Sequence, residues 1–127
     1  MTVLLLDTHA LLWAFTDPQR LPVEVRAVLE GSSRVLVSAV SIYELAFKHR
    51  FGKLDEAQLL LNDLDRDLAS KSVDRLEVTL DHALAAGRLD TQHRDLFDRL
   101  LIAQALVEDF ELVSNEKLFD QYGVRRL

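Results

Sequence analysis

Short apolar runs, separated by stretches with helical spacing, constrain the fold of this chain more than any other feature. Val3 to Leu6 is wholly apolar and ends abruptly at Asp7. A strand without a polar side suits a place covered on both faces, as in a parallel sheet, and it sets Asp7 at the strand's carboxyl end. Thr8 to Phe15 reads as a helix in which Ala10, Leu11, Trp13 and Ala14 leave little polar surface, and Asp17-Pro18 breaks it. Pro22 fits the first turn of a second helix running to about Glu30, where Gly31 stops it. Val35 to Val37 reads as the second strand, and Ser38 or Ser41 is placed to cap a helix running to about Phe51. Asp55 to Ala69 carries Leu59, Leu60, Leu64 and Leu68 at helical spacing, with Asp63, Asp65 and Asp67 on solvated faces. Val73 to Val78 is the next strand, Thr79 caps a helix through about Ala86, and Gly87 to Arg94 is a polar loop. A long helix from Phe97 to Glu108 leads to a strand at Glu111 to Val113, a short helix near Glu116 to Gln121 and a last short strand at Val124 to Arg126.

Helices alternating with short apolar strands predict an α/β domain of three layers, a short and mainly parallel sheet flanked by helices, with residues 1–127 forming a single domain. At 127 residues and 49% apolar composition, the chain can bury roughly two thirds of its unfolded surface without staples. With no cysteine, disulfide scaffolds, thiolate zinc sites and thiol nucleophiles are excluded. No apolar run approaches the roughly 20 residues that span a bilayer, and Met1 to Asp7 has no basic segment leading a signal-type core; a cytoplasmic protein with no membrane partner is expected. The formal net charge of −6 argues against holding nucleic acid by bulk electrostatics. That argument fails where acids converge on divalent cations, because the ions reverse the local field. Four glycines leave no room for a phosphate loop or dinucleotide fingerprint. Ser38, Ser41 and Ser114 lack a triad context, and His49, His82 and His93 show no zinc-type spacing.

In open parallel sheets, ligands sit beyond the carboxyl ends of the strands, where strand order reverses. That rule makes Asp7 and Ser114 to Glu116 neighbours of the expected site. In the stretch HRDLFDRLLIAQ, His93 to Gln104, Asp98 falls on the helix face of Leu101, Ile102 and Ala105, where an apolar side chain is expected. Glu44 interrupts apolar surface in the same way, with Val40 and Phe47 on its face, and Glu116 follows the Val113 strand closely. Hard oxygen donors with no soft ligand point to Mg²⁺ or Mn²⁺ and to metal-dependent phosphodiester hydrolysis. Each acid also has a plainer role within reach. Asp7 can cap the helix at Thr8, Asp98 can favour its helix N-terminus, Glu44 can pair with Lys48, and Glu116 can be a first-turn acid. His9 reads as a helix-start residue rather than a ligand. Lys48, Arg50, Lys53, Arg94 and Arg99 flank the acids, as a solvated rim or as a grip on a phosphate backbone.

LLLDTHALLWAF (Leu4 to Phe15), VSAVSIYELAFKHRFGKL (Val37 to Leu54), HRDLFDRLLIAQAL (His93 to Leu106) and LVSNEKLFDQYGV (Leu112 to Val124) resemble, in this order, the PIN-domain ribonuclease toxins of the VapC kind. The resemblance is weakest between Asp55 and Leu80. It implies a PIN-like fold and a Mg²⁺- or Mn²⁺-dependent endoribonuclease of a type II toxin–antitoxin module. Such an enzyme cleaves structured RNA, leaving a 5′-phosphate and a 3′-hydroxyl, and so inhibits translation and growth. The family's acids fall on Asp7, Glu44 and Asp98 as metal ligands, and on Glu116 as a fourth catalytic acid. Glutamate at 116 departs from the usual aspartate, and Leu96 replaces a common proline. Thr8 and Ser114 match donors that orient the acids. The implied partners are a cognate antitoxin whose tail lies across the toxin, a second copy in a homodimer, and a larger toxin–antitoxin complex. Trp13 and Phe15 suit either a groove for that tail or the core. Two rival classes remain. A phospho-accepting receiver domain needs an adjacent acidic pair before the first helix and a lysine ending the last major strand, where this chain has DTH and VSNE. A catalytically silent module would keep the fold to bind an antitoxin or RNA.

Overall fold

The computed structural model describes residues 2–31, 34–90 and 95–127. Four strands, β1 (Val3–Leu6), β2 (Arg34–Ser38), β3 (Asp74–Leu76) and β4 (Glu111–Val113), form one sheet in the order β3-β2-β1-β4. All three pairings are parallel, with Leu6 level with Val37 on one side and Val113 on the other. The chain therefore builds outward from β1 to β3 and then crosses to the opposite side of β1 for β4. This puts the reversal of strand order between β1 and β4, where Asp7 leaves the sheet.

The sheet is buried on both faces, and the alternation along each strand divides its residues between two cores. Leu4, Leu6, Val35, Val37 and Val113 face one cluster. It is completed by α1 (Thr8–Thr16), α2 (Val23–Glu30), α3 (Ala39–Arg50), α4 (Ala57–Asn62) and α5 (Leu64–Ser70), through residues such as Leu11, Val25, Leu45, Leu60 and Leu68. Leu5, Leu36 and Leu112 face the other, with Leu101, Ile102 and Ala105 of α7 (Leu96–Glu108) and Phe119. The remaining helix, α6 (Leu80–Arg88), packs along α7. This is the three-layer α/β arrangement that the alternation of elements predicts. Among the described residues, no helix is long and apolar enough to cross a membrane.

Caps set the helix starts that carry the candidate acids. The Asp7 side chain caps α1, Ser38 rather than Ser41 caps α3, and one Asp95 oxygen accepts from the N–H groups of Phe97 and Asp98 to start α7. Thr79 and His82 form a reciprocal capping box on α6.

Four expectations are corrected. The helix read over Asp55 to Ala69 is two, because Asp63 leaves helical geometry (φ −129°, ψ 42°). α4 docks on α1 and α3, and the chain then has to turn to bring Leu68 and Val73 back to the sheet. The strand read over Val73 to Val78 is confined to Asp74–Leu76, since the Glu77 carbonyl is taken by Gln104 instead of a strand partner. The segment at Val124 to Arg126 makes only a single bridge, Leu112 to Arg126, on the outer edge of β4. The loop read from Gly87 begins later, as α6 continues through Gly87 to Arg88; His93 and Arg94 lie outside the described residues.

Leu5, fully buried in the central strand, and Leu59, 70% exposed on α4, test this layering. Leu5→Ala should cost about 2–5 kcal/mol in urea unfolding. Leu59→Ala should stay within about 0.5 kcal/mol.

Candidate functional site

Asp7 is held through both its backbone and its side chain. It follows β1 directly, with its backbone N–H donating to the Val113 carbonyl at 3.0 Å, so the backbone of β4 fixes where its side chain begins. One carboxylate oxygen accepts the Ala10 N–H at 2.7 Å, and the group is only 6% exposed. Burial pushes this carboxyl above its ordinary value. Hydrogen bonds from the Ser114 hydroxyl and the Ala10 N–H, and the charge of His9, oppose that shift; the negative charge of Glu44 adds to it. The helix-cap role and the site role are therefore met by one side chain. A cavity of about 270 Å³ opens beside it, lined in part by Trp13, Val25, Ser114 and Lys117.

Glu44 reaches the same region from α3, and it too is almost fully buried. Its Oε1 accepts the Thr8 hydroxyl proton at 2.6 Å, and its Oε2 lies 2.5 Å from Lys48 Nζ. The Ser41 Oγ sits 3.1 Å from the Thr8 oxygen. A hydroxyl has one proton, and the carboxylate takes that of Thr8, so Ser41 is the donor in that pair. Thr8, next to Asp7 in sequence, thus holds Glu44 in place. Lys48 neutralises a charge that burial would otherwise make expensive.

The other two acids are placed differently. Asp98, in the first turn of α7, is half-buried and stands at the rim of the stripe whose Leu101, Ile102 and Ala105 enter the core. Glu116 is exposed. Its backbone N–H donates to Ser114 Oγ at 3.0 Å, and its charge acts on Arg126, which is itself paired with Asp120. The structure thus gathers Asp7, Thr8, Glu44 and Ser114 tightly, and sets Asp98 and Glu116 further out. Among the described residues, no three acids or imidazoles are close enough together to hold a metal ion.

Two buried carboxylates in one another's field, each oriented by a hydroxyl, are in chemical kind the donors a hard divalent cation takes. A cation would relieve both the burial and the mutual repulsion that raise the Asp7 carboxyl.

Of the flanking cations, Lys48 is engaged with Glu44. Arg99 donates to the Ala86 and Leu89 carbonyls at 2.7 and 3.1 Å, closing the end of α6. Arg50 and Lys53 lie exposed at and just beyond the end of α3. Sequence reasoning overlooked Gln104, the one polar side chain in the buried run Leu101 to Ala105; its place on an otherwise apolar face was the available signal. It also missed an aromatic surface: Tyr43, Phe47 and Phe51 of α3 and its end are exposed, and Tyr43 meets Phe97 edge-on with ring centres 5.5 Å apart.

The family model described as PIN domain matches residues 4–124. Over 118 residues the chain is 29% identical to ribonuclease VapC22 of Mycobacterium tuberculosis, a match spanning 92% of this chain and 89% of that one. Among solved structures, VapBC2 from Rickettsia felis bound to a DNA fragment from its promoter superposes with a TM-score of 0.74 at 16% identity, covering 99% of this chain and 98% of that one. DNA-bound VapBC from Salmonella typhimurium gives 0.72 at 18% identity, covering 100% and 98%. These structural likenesses show a shared fold.

The Asp7 environment predicts the sign of a stability change. A carboxyl raised in the folded state costs stability above its folded pKa and costs nothing below its unfolded value of about 3.8. In EDTA at neutral pH, Asp7→Asn, which keeps a capping side chain, should raise the melting temperature by a few degrees. The advantage should shrink as pH falls toward 4. Thermal melts across pH check it; an advantage that grew on acidification would contradict the burial of the charge.

Proposed function

We propose, from the premise that this chain belongs to the PIN-domain family, that it is a metal-dependent endoribonuclease, the toxin of a toxin–antitoxin module, hydrolysing structured RNA such as tRNA or rRNA. The observation that carries this reading is the burial of Asp7 at the reversal point of the sheet, with Glu44 close enough for its charge to be felt. Asp7, Glu44 and Asp98 are the residues assigned to Mg²⁺ or Mn²⁺. When bound, such an ion lowers the pKa of its water and offsets the charge that builds on a phosphodiester transition state.

The chain's own groups do the rest. Thr8 and Ser114 orient the two buried carboxylates by hydroxyl hydrogen bonds. Lys48 balances the charge of Glu44. Glu116, exposed two residues after Ser114, is assigned to assist with the attacking water, a weaker role than that of the three inner acids. Arg50 and Lys53 supply positive charge on the rim for an RNA backbone.

The partner is a cognate antitoxin, as in the VapBC assemblies to which the fold is similar. The groove beside Trp13 and Asp7 is the place where its tail would cover the site. A homodimer within a larger toxin–antitoxin complex is supported by the exposed aromatics of α3, since sizeable apolar patches on a protein surface mark interaction sites. The reaction belongs in the cytoplasm, where tRNA and ribosomes are. A second reading, a catalytically silent module that binds an antitoxin or RNA, is favoured by the absence of a gathered three-acid cluster among the described residues.

Purified, antitoxin-free protein incubated with total tRNA and rRNA in Mg²⁺ or Mn²⁺, against EDTA, separates these readings. Discrete fragments with 5′-phosphate ends that require metal are expected. Asp7→Asn, Glu44→Gln and Asp98→Asn should each lower the rate by about 100-fold or more. Thr8→Val and Ser114→Ala should lower it by about 10–100-fold, and Glu116→Gln by less than either group. Wild-type cleavage by Asp98→Asn would sink the assignment of that residue. A folded, metal-loaded protein that cuts neither RNA would favour the silent module.

A further inference from the structure

Gln104 is fully buried on α7, in the middle of an apolar run. A buried amide costs free energy unless its donors and acceptor are met, and here they are met from β2, from the loop after β3 and from α6. Its Oε1 accepts the Ser38 hydroxyl at 2.6 Å, while its Nε2 donates to the Glu77 carbonyl at 3.2 Å and approaches His82 Nδ1 at 3.4 Å. His82 is itself fully buried. Its Nδ1 accepts the Thr79 N–H at 3.1 Å, so the ring proton is on Nε2, 2.9 Å from Glu108 Oε1. Ser38 also acts on the helix that follows it, where its Oγ accepts the Val40 N–H at 3.0 Å and caps α3.

The cap of α3 and the body of α7 therefore share one hydroxyl. Glu44 lies six residues after Ser38, and Asp98 lies six residues before Gln104. At 1.5 Å rise per residue, each acid is about 9 Å along its helix from the tie. A small rotation or slide of one helix at the tie is carried along it to the acids.

We infer that Gln104 is a positioning residue: by bonding the cap of α3 it sets the spacing between α3 and α7, and so the placement of Glu44 relative to Asp98. The role assigned to those acids rests on the nuclease reading; the spacing itself does not. Gln104 acts on the acids through Ser38.

Because the chain has no cysteine, Ala46→Cys and Val107→Cys place two spin labels on exposed positions of α3 and α7 without background. Distances by pulsed electron resonance and Mn²⁺ titration are read for the parent, for Gln104→Met, which keeps the volume but loses the amide, and for Ser38→Thr, which keeps the hydroxyl. Gln104→Met should shift or broaden the distance distribution and raise the Mn²⁺ midpoint about tenfold. In the unlabelled enzyme it should lower kcat while KM for RNA changes less than about threefold. Ser38→Thr should match the parent. If Gln104→Met does not fold, Ser38→Gly replaces it, since glycine costs an N-cap only a few tenths of a kcal/mol and still removes the tie. A folded variant without the tie, showing parental spacing, would overturn the inference. Should the parent bind no Mn²⁺ or cut no RNA, the nuclease reading fails, and the distances alone still decide the role of Gln104.

Discussion

The structure turns on the burial of one carboxylate, Asp7, at the place where the sheet reverses its strand order. Taking a carboxylate out of water is costly, and the surroundings lower that cost piecewise: a helix N-terminus through Ala10, a hydroxyl from Ser114, and the nearby charge of His9. Glu44 adds a smaller repulsion; it is itself held by Thr8 and paired with Lys48. The molecule thus keeps a carboxyl raised by burial at the centre of its sheet. A fold built for stability alone would place apolar residues there, so the arrangement fits a site whose strain is relieved on binding a cation.

The same edge of the sheet carries a second set of buried polar contacts, Ser38, Gln104, His82 and the Glu77 carbonyl, that runs from β2 through α7 to α6. Apolar packing fixes how deep helices lie on a sheet, but it leaves sliding along the helix axis comparatively soft. Hydrogen bonds between buried groups have directions and remove that freedom. Among the described residues, several buried polar side chains, Asp7, Thr8, Ser38 and Ser114, stand at the carboxyl ends of β1, β2 and β4.

A net charge of −6 sits awkwardly with RNA as a substrate until the cations are followed individually. Several are engaged within the fold, since Arg99 closes α6, Arg126 binds Asp120 and the Ser114 carbonyl, and Lys48 balances Glu44. Among the described residues, Arg50 and Lys53 lie exposed at and just beyond the end of α3, and exposed Lys117 lines the cavity beside Asp7.

Strand and helix identity, most helix starts and the location of the acids near strand ends were legible in the sequence, because they follow from local rules: apolar runs, helical spacing and capping side chains. Asp7 after Val3 to Leu6 is a local fact, and so are Thr79 before α6 and the apolar stripe around Asp98. Tertiary structure decided what local rules cannot reach. The break at Asp63 and the shortening of β3 to Asp74–Leu76 come from where α4 and Gln104 make their contacts, and residues far apart in sequence set those. The raised carboxyl of Asp7, the shared hydroxyl of Ser38 and the engagement of Arg99 with α6 exist only once β1, α3 and α7 are brought together. Burial and hydrogen-bond partners belong to the packed chain, and they separate the deeply held pair Asp7 and Glu44 from the outlying Asp98 and Glu116.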